Sequence, residues 1–350
     1  MTEKDAAFAR KIIAWQHQHG RHGLPWQGSR DPYRVWLSEI MLQQTQVGAV
    51  IGYFQRFLDR FPDIGALARA SEDEVLQLWS GLGYYARARN LHKAARAIVD
   101  SPGGRFPSTA AQIELLPGVG RSTAAAIAAF CFGERAAILD GNVKRVLARR
   151  FGVEGFPGAS KVEAELWVLA ERLLPNIAAP EEMEAYTQGL MDLGATVCTR
   201  SAPGCALCPV ATECVACATG RTAELPAPRP KKAYPTREAA WLLLRYRGLT
   251  VMVKRPAPGI WGGLWVFPEF GGEDPIRHCL AEFGCELSSH RELPLLRHGF
   301  THFRLEIRPI VCEVVKRERR AESPGRAWFP LKEAASEAVP VPVRKLLAML

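Results

Sequence analysis

The chain has 350 residues, of which 48% are hydrophobic and 23% are charged, a balance typical of folded proteins and not of disordered ones. No apolar run approaches the roughly 20 residues that a membrane span needs. The charged N-terminus also lacks the hydrophobic core of a secretory signal, so we expect a cytoplasmic protein. The net charge of +9 favours a polyanionic partner such as a nucleic acid, although a solvated basic surface would give the same charge.

Apolar residues recur at helical spacing through the first two thirds of the chain, and Pro, Gly or Asp separates almost every pair of segments. The predicted helices cover 5–19, 32–44, 47–61, 71–79, 84–99, 109–116, 121–132, 142–151, 160–174 and 183–197. The alternation that predicts a strand does not occur before residue 230. A first domain, 1–224, is therefore predicted to be all-α with short connections.

The segment 225–237 is Pro-rich and basic, which is typical of an extended linker. Beyond it the pattern changes to strand-like runs with Gly-rich turns between some of them. The predicted strands are 239–245, 250–254, 264–267 and 303–315, and the predicted helices are 276–283 and 343–350. We interpret 238–350 as a second domain of the α+β class.

A Leu-Pro-Gly-Val-Gly stretch from Leu116 to Gly120 separates two predicted helices. Pro cannot continue the first helix, and the glycines allow a tight turn that leaves backbone N–H groups uncovered. The next helix begins near Ser122, and a helix N-terminus behind such a turn attracts anions, because its unpaired N–H groups and its dipole face the incoming charge. A nucleic-acid phosphate is the expected anion, since no nucleotide-type Lys-Ser/Thr follows. A plain helical hairpin with a glycine cap explains the stretch equally well.

Two carboxylates stand out against their surroundings. Glu39 lies in a predicted helix that is apolar almost all round, and desolvation there should raise its pKa toward neutrality, as a general acid requires. A partly exposed Glu at the edge of the core would show the same pattern. Asp140 precedes a basic helix and is a good N-cap. Asp140 also follows the hairpin, where its negative charge would oppose phosphate binding. Its position is explained if the site has to stabilise a cation.

Clustered cysteines predict a metal centre. Cys198, Cys205, Cys208 and Cys214 form C-x6-C-x2-C-x5-C, a short loop of four thiolates that suits a [4Fe–4S] cluster. Alternatively, Cys205, Cys208, Cys214 and Cys217 form two C-x2-C pairs that could hold zinc. Zinc pairs are typically separated by a longer loop, which favours the iron–sulfur cluster.

Taken together, the 116–120 stretch, the Leu-Asp-Gly at 139–141 and the four-cysteine loop resemble the helix-hairpin-helix DNA glycosylases of the endonuclease III superfamily. The strings 36–47 and 81–90 are similar to those of its adenine-excising branch. The resemblance covers nearly the whole chain. It implies a mainly α helix-hairpin-helix glycosylase domain with a [4Fe–4S] cluster loop, followed by an α+β Nudix-like C-terminal domain. That C-terminal domain lacks the Glu-rich Mg²⁺-binding helix of Nudix hydrolases, so we do not expect it to hydrolyse nucleotides.

The resemblance implies a bacterial, nucleoid-associated monomer that removes undamaged adenine mispaired with 8-oxoguanine or guanine from double-stranded DNA, in base excision repair. The adenine has to leave the base stack to be reached. By the resemblance, Glu39 is the general acid that protonates the base, and Asp140 stabilises the oxocarbenium-like sugar electrostatically or by transient capture. Gly118, Gly120 and Ser122 then lie at a DNA phosphate.

Ser122 also decides the expected reaction type. Bifunctional members carry a Lys at this position, and that Lys forms a Schiff base with the sugar. Ser122 cannot do so, and we expect base excision without efficient strand cleavage. The alternatives are an endonuclease III-like glycosylase with lyase activity, and a catalytically silent lesion-binding protein, against which the intact pair Glu39 and Asp140 argues.

Five further residues match positions that contact DNA in the family. Gln44 and Tyr84 match positions that probe the DNA around the mispair, although both could simply pack on a helix surface. The segment Phe300, Thr301 and His302 resembles the Phe-Ser-His segment that reads 8-oxoguanine, and Thr301 keeps the hydroxyl of the usual Ser.

Overall fold

The computed structural model describes residues 3–176, 179–230, 234–272, 274–318 and 324–350. They form two compact units. One takes in the described residues of 1–68 and 93–231, and the other those of 69–92 and 232–350. Within the described ranges, no helix is both long and apolar enough to cross a membrane.

The described chain before residue 231 is helical, as predicted. Its α-helices are α1 (Glu3–His19), α2 (Pro32–Leu42), α3 (Val47–Arg60), α4 (Ile64–Arg69), α5 (Glu72–Trp79), α6 (Ala86–Val99), α7 (Ala110–Glu114), α8 (Arg121–Phe132), α9 (Gly141–Phe151), α10 (Ser160–Arg172), α11 (Pro180–Asp192) and α12 (Val215–Ala218). Local signals set several ends. Asp31 caps α2 with Pro in the first turn, Ser71 and Glu74 form a capping box on α5, and Gly133 and Gly152 end α8 and α9 in the left-handed conformation.

Two predicted helices are wrong at their ends. The helix predicted over 32–44 stops at Leu42, because Gln44 adopts a left-handed φ of 56°. The helix predicted over 183–197 is α-helical only to Asp192 and continues as a π-helix, Leu193–Val197. At this widened turn Gly194 packs directly against Asn142 of α9, where a Cβ would lie 2.5 Å from the Asn142 Cβ. Such π-turns often occur at functional sites.

The core of the helical unit joins apolar faces of α1, α8, α9, α10 and α11. Phe8, Ile12, Leu166 and Met183 are fully buried there, and burying each such side chain contributes roughly 1.5–3 kcal/mol. Gly189 of α11 lets α1 approach closely, because a Cβ at that position would lie 2.8 Å from Ile12 Cγ2. This packing fixes the elements that carry the candidate site.

The second unit contains a mixed sheet of β1 (Thr236–Tyr246), β2 (Leu249–Lys254), β3 (Trp265–Val266), β4 (Glu269–Phe270), β5 (Cys285–Glu292), β6 (Leu296–Gly299), β7 (Arg304–Arg317) and β8 (Arg326–Pro330). The order along the sheet is β3-β2-β1-β7-β5, with β4 on β1, β6 on β7 and β8 on β2. Strands β1 and β7 run parallel, with Trp241 opposite Pro309. The helices are α13 (Pro275–Phe283), α14 (Leu331–Ala334) and α15 (Val341–Leu347).

Several strands of this sheet were not predicted from the sequence. Strand β5 reads Cys-Glu-Leu-Ser-Ser-His-Arg-Glu, and most of its side chains are exposed, so it lacks the apolar alternation that predicts a strand. Strand β1 begins at Thr236, earlier than the predicted 239, because it pairs with β7 from that residue onward. Tertiary pairing therefore decided these boundaries.

Residues 69–92 belong to the second unit, although they precede its other part, 232–350, by more than a hundred residues. Ser80 Oγ donates to the Val339 carbonyl at 2.8 Å, and Gln77 Nε2 donates to the Ser336 carbonyl at 2.8 Å. Lys254 Nζ lies 2.5 Å from an Asp73 carboxylate oxygen. The predicted domain limits at 224 and 238 stay a prediction.

Candidate active site

The Leu-Pro-Gly-Val-Gly stretch forms the turn between α7 and α8. Gly118 has a φ of 78°, which a residue with a side chain rarely adopts, and Val119 N–H donates to the Leu116 carbonyl at 3.1 Å. Gly120 is the N-cap of α8 and has no side chain with which to cap this terminus. The first N–H groups of α8 are therefore available to an anion.

Ser122 connects α8 to the segment that carries Asp140. Its Oγ accepts a hydrogen bond from Leu139 N–H at 2.9 Å, and its side chain is half-buried. Ser122 was expected at a DNA phosphate by resemblance, and the structure gives its hydroxyl this internal partner. The bond fixes the backbone one residue before Asp140.

Asp140 is the N-cap of α9. One carboxylate oxygen accepts from Val143 N–H at 2.8 Å, and the other accepts from Asn142 Nδ2 at 3.3 Å. Burial raises the pKa of Asp140, while these hydrogen bonds and the nearby Arg145 charge lower it in part. The capping role suggested by the sequence is confirmed, and it leaves the carboxylate fixed at the end of α9.

Glu39 projects from α2, whose neighbouring residues Val35, Trp36 and Ile40 are buried. Burial raises the pKa of Glu39 from 4.5 to about 8, and the charge of Asp140 is the second cause. The predicted rise in pKa is confirmed. Unlike Asp140, Glu39 has no hydrogen-bond partner among the residues that the structure describes. The hydrogen bonds to Asp140 favour its charged form, and the charge of Asp140 in turn favours the protonated form of Glu39.

A cavity of about 60 Å³ opens beside Glu39, walled by α2, the loop after α1, and α11. Side chains of Glu184, Gln188 and Met191 reach it from α11. These three residues were not predicted from the sequence, although their spacing of four and three residues places them on one helix face. Asp140 is not one of the described residues that line this cavity. It affects the pKa of Glu39 through its charge.

Arg21 and Gln27 hold the loop that forms one wall of this cavity. Arg21 Nε donates to an Asp192 oxygen at 2.7 Å, and Asp192 is fully buried. Gln27 Nε2 donates to the Arg21 carbonyl at 2.8 Å, and its Oε1 accepts from Leu24 N–H at 3.0 Å. Gln27 therefore has a structural role in shaping the cavity wall.

Gln44 and Tyr84, the two candidate DNA-probing residues, share an unusual backbone. Their φ values are 56° and 46°, in the left-handed region that disfavours side chains. Both are exposed, Tyr84 by 44%. Strain of this kind costs about 1–3 kcal/mol and clusters at functional sites.

All five cysteines of the loop line a cavity of about 20 Å³ together with Arg149. Arg149 Nη1 lies 3.4 Å from Cys198 Sγ, and backbone N–H groups donate to the sulfurs of Cys208 and Cys214. Such donors stabilise thiolates. Burial and the neighbouring cysteines raise the pKa of the Cys205 thiol and raise that of Cys208 to about 11. At neutral pH these thiols therefore lose their protons readily only when they bind a metal cation.

The donor set that lines this cavity consists of thiols, which are ligands of iron–sulfur clusters and of zinc. Among the described residues, no group of three His, Cys, Asp or Glu side chains is arranged to hold a metal ion. A four-iron cluster takes one thiolate per iron, so its ligands stand farther apart than those of zinc. The choice between the cluster and zinc therefore stays a prediction.

The Phe300–His302 segment lies between β6 and β7 of the second unit. The Phe300 ring stacks on Phe303 with centroids 4.3 Å apart, and Trp261 packs 5.2 Å from it. Thr301 and His302 are exposed at the tip, with Thr301 Oγ1 3.3 Å from His302 Nδ1. The half-buried Phe300, packed between the buried rings of Phe303 and Trp261, is thus followed by two polar side chains exposed to solvent.

Comparisons with known proteins agree with this architecture. Residues 37–172 match the family model described as HhH-GPD superfamily base excision DNA repair protein, and 239–349 match the NUDIX domain. A solved thermostable thymine-DNA glycosylase is 29% identical, with a TM-score of 0.55 over 62% of this chain and 98% of its own. Endonuclease III trapped on DNA, 21% identical with a TM-score of 0.52 over 63% of this chain and 99% of its own, shares the fold. The fold and site thus define a helix-hairpin-helix DNA glycosylase.

Comparison with related sequences identifies the family within this class of glycosylases. A protein of Buchnera aphidicola (subspecies Acyrthosiphon pisum) called adenine DNA glycosylase is 36% identical over 97% of this chain and 96% of its own length. A human protein of the same name is 34% identical over 97% of this chain and 73% of its own length. The chain belongs to the adenine DNA glycosylase family.

Proposed function

We propose that this enzyme excises adenine mispaired with 8-oxoguanine or guanine from double-stranded DNA, by hydrolysis of the N-glycosidic bond and without strand cleavage. It would act as a monomer on chromosomal DNA in the nucleoid. The observation that carries the proposal is the pKa of Glu39, which burial and the charge of Asp140 raise to about 8. One carboxyl keeps its proton at neutral pH while the other carries charge, which is the pairing that glycoside hydrolysis needs.

Each carboxyl has a defined part in the reaction. Glu39 donates a proton to the ring of the extruded adenine and makes it a better leaving group. The Asp140 carboxylate stabilises the positive charge that develops on the sugar. Water then adds to the sugar and leaves an abasic site. Backbone N–H groups of the turn at Gly118 and Gly120, together with the N-terminus of α8, hold a backbone phosphate near the lesion.

The surroundings of Ser122 and Lys144 support hydrolysis over a lyase reaction. Ser122 carries no amine, and its hydroxyl already accepts a hydrogen bond from Leu139 N–H. Lys144, on α9, pairs with Glu163 at 2.5 Å. A Schiff base requires a free, deprotonated amine at the sugar, and Lys144 is held as an ion pair.

Cys198, Cys205, Cys208 and Cys214 would hold the [4Fe–4S] cluster. When bound, the cluster joins the ends of this loop and supplies a structural cross-link. Arg149, 3% exposed, keeps the loop on α9 by donating to the carbonyl oxygens of Thr199 and Arg200.

The exposed tip at Thr301 and His302 supports recognition of 8-oxoguanine by the second unit. Deletion of 230–350 would be an ambiguous test, because it removes the partners of α5 at Val339 and Ser336. Thr301→Ala is cleaner. We expect it to reduce the preference for 8-oxoguanine over guanine opposite adenine, and an unchanged preference would contradict this role.

The activity is tested with Asp140→Asn and Glu39→Gln in single-turnover reactions on an A:8-oxoguanine duplex, with alkali added to reveal abasic sites. Both variants should bind the duplex, and both should excise adenine at least a hundredfold more slowly. Strand breaks should appear only after alkali. Undiminished excision by Asp140→Asn would remove its assignment, and breaks without alkali would favour a lyase.

A further inference from the structure

The loop holds one more thiol than a [4Fe–4S] cluster needs. Four cysteines supply one ligand to each iron, whereas five cysteines line this cavity. The fifth is Cys217, on α12. All five thiols are free of disulfides.

Cys217 lies in contact with two of the four assigned ligands. Its side chain hydrogen bonds with that of Cys205, and its backbone N–H donates to the Cys214 sulfur. Cys198 Sγ, by contrast, accepts a hydrogen bond from Arg149 Nη1 at 3.4 Å.

The backbone of α12 holds Cys217 in place. Ala216 is fully buried. Val215 packs on Gly152, where a Cβ would lie only 2.8 Å from Val215 Cγ1. Arg221 N–H donates to the Ala216 carbonyl at 2.8 Å and closes the turn after the helix. The Cys217 thiol is therefore presented to the cavity from a fixed backbone.

We propose that Cys217 is a reserve ligand that takes the iron of Cys205 when the Cys205 thiolate is lost. This rests on the proposed [4Fe–4S] cluster. In the exchange, Cys217 loses its proton and forms an Fe–S bond as the Cys205–Fe bond breaks, and the released Cys205 sulfur takes up a proton. The step transfers no electrons and needs no oxidant. The exchange is possible because the Cys217 and Cys205 side chains are already in hydrogen-bonding contact.

The test compares full-length Cys205→Ser, Cys198→Ser, Cys217→Ser and the double variant Cys205→Ser/Cys217→Ser, all purified without oxygen. Iron, acid-labile sulfide and zinc per chain are measured, together with visible absorbance. Wild type and Cys217→Ser should each carry about four irons. Cys205→Ser should keep most of its iron, whereas Cys198→Ser and the double variant should lose at least five-sixths of theirs.

Thiol mapping gives an independent readout. Iodoacetamide should alkylate Cys217 in the wild type and should fail to alkylate it in Cys205→Ser, where it is bound to iron. Cys205→Ala serves as a second variant should the Ser variant be insoluble. The proposal is overturned if Cys205→Ser loses iron as completely as Cys198→Ser, or if the double variant keeps it. Zinc without iron in the wild type would overturn the cluster assignment itself, which separates the two failures.

Discussion

The Nε of Arg145 donates a hydrogen bond to the Cys198 carbonyl at 2.7 Å. The same guanidinium donates to the Gly194 carbonyl at 2.6 Å and to Asn142 Oδ1 at 2.9 Å, and Asn142 in turn donates to Asp140. The first cysteine of the loop and the candidate catalytic carboxylate therefore belong to one hydrogen-bonded network. We therefore expect the position of the Asp140 carboxylate to depend on whether the cysteine loop is ordered.

Gly194→Ala should test that network. Its Cβ would lie 2.5 Å from the Asn142 Cβ, so the π-helix or α9 has to shift. We expect a loss of about 1–3 kcal/mol in the free energy of unfolding, together with slower single-turnover excision. Gly204→Ala is the control, since its Cβ would meet only the Val197 carbonyl at 4.0 Å. Equal behaviour of the two variants would argue against the coupling.

The pH dependence of excision should follow the two carboxyl groups. Glu39 has to be protonated, so the single-turnover rate should fall about tenfold per pH unit above its pKa of about 8. On the acid side the rate should fall as Asp140 becomes protonated, at a pH above the ordinary range of Asp because its pKa is raised. Rates at saturating enzyme across pH 5 to 9.5 would check this. A rate that rises through pH 8 would exclude Glu39 as the proton donor.

Glu39 should also make the fold less stable as pH rises. The folded state holds the Glu39 proton up to pH about 8, whereas an unfolded Glu releases it near 4.5. Between these values the folded state binds more protons, so stability falls with pH by up to about 1.4 kcal/mol per unit. Denaturant unfolding of the wild type and of Glu39→Gln, measured at matched pH, isolates this contribution. The difference between them should change with pH in this window, and a constant difference would contradict the raised pKa.

Ser122→Ala should loosen the segment before Asp140. The variant leaves Leu139 N–H without its partner, and Leu139 is 3% exposed, so we expect a loss of about 1–3 kcal/mol in stability. Excision should slow because Asp140 is less well positioned. Ser122→Thr keeps the accepting oxygen and should recover much of both. If neither variant slows excision, the Ser122 hydroxyl has no positioning role.

Gln44→Gly should separate stability from function. Gly adopts the observed φ of 56° without strain, so the melting temperature should rise, by an amount equivalent to about 0.5–1 kcal/mol. If Gln44 probes DNA as proposed, affinity for A:8-oxoguanine duplex should fall, because that side chain is gone. Gln44→Ala, which keeps the strain, should lose affinity without the gain in stability. Unchanged affinity in both variants would indicate that Gln44 packs on the helix surface and does not probe DNA.

The sequence by itself determined the helical first part, the second α+β domain, the hairpin and the rise in the Glu39 pKa. These follow from local signals, since periodicity, Pro, Gly and apolar helical neighbours act over a few residues. The cysteine spacing predicted a metal loop for the same reason, because the candidate ligands are close in the chain. The resemblance supplied the roles of Asp140 and of the DNA-contacting residues.

Only the tertiary structure decided which distant residues meet. Strand β5 forms because β7 pairs with it, and residues 69–92 join the second unit through partners such as Val339. Asn142 and Gly194, or Arg145 and Cys198, lie about fifty residues apart, and no local pattern relates them. Their contacts depend on how whole helices pack, and packing depends on long-range burial that a local sequence window does not contain.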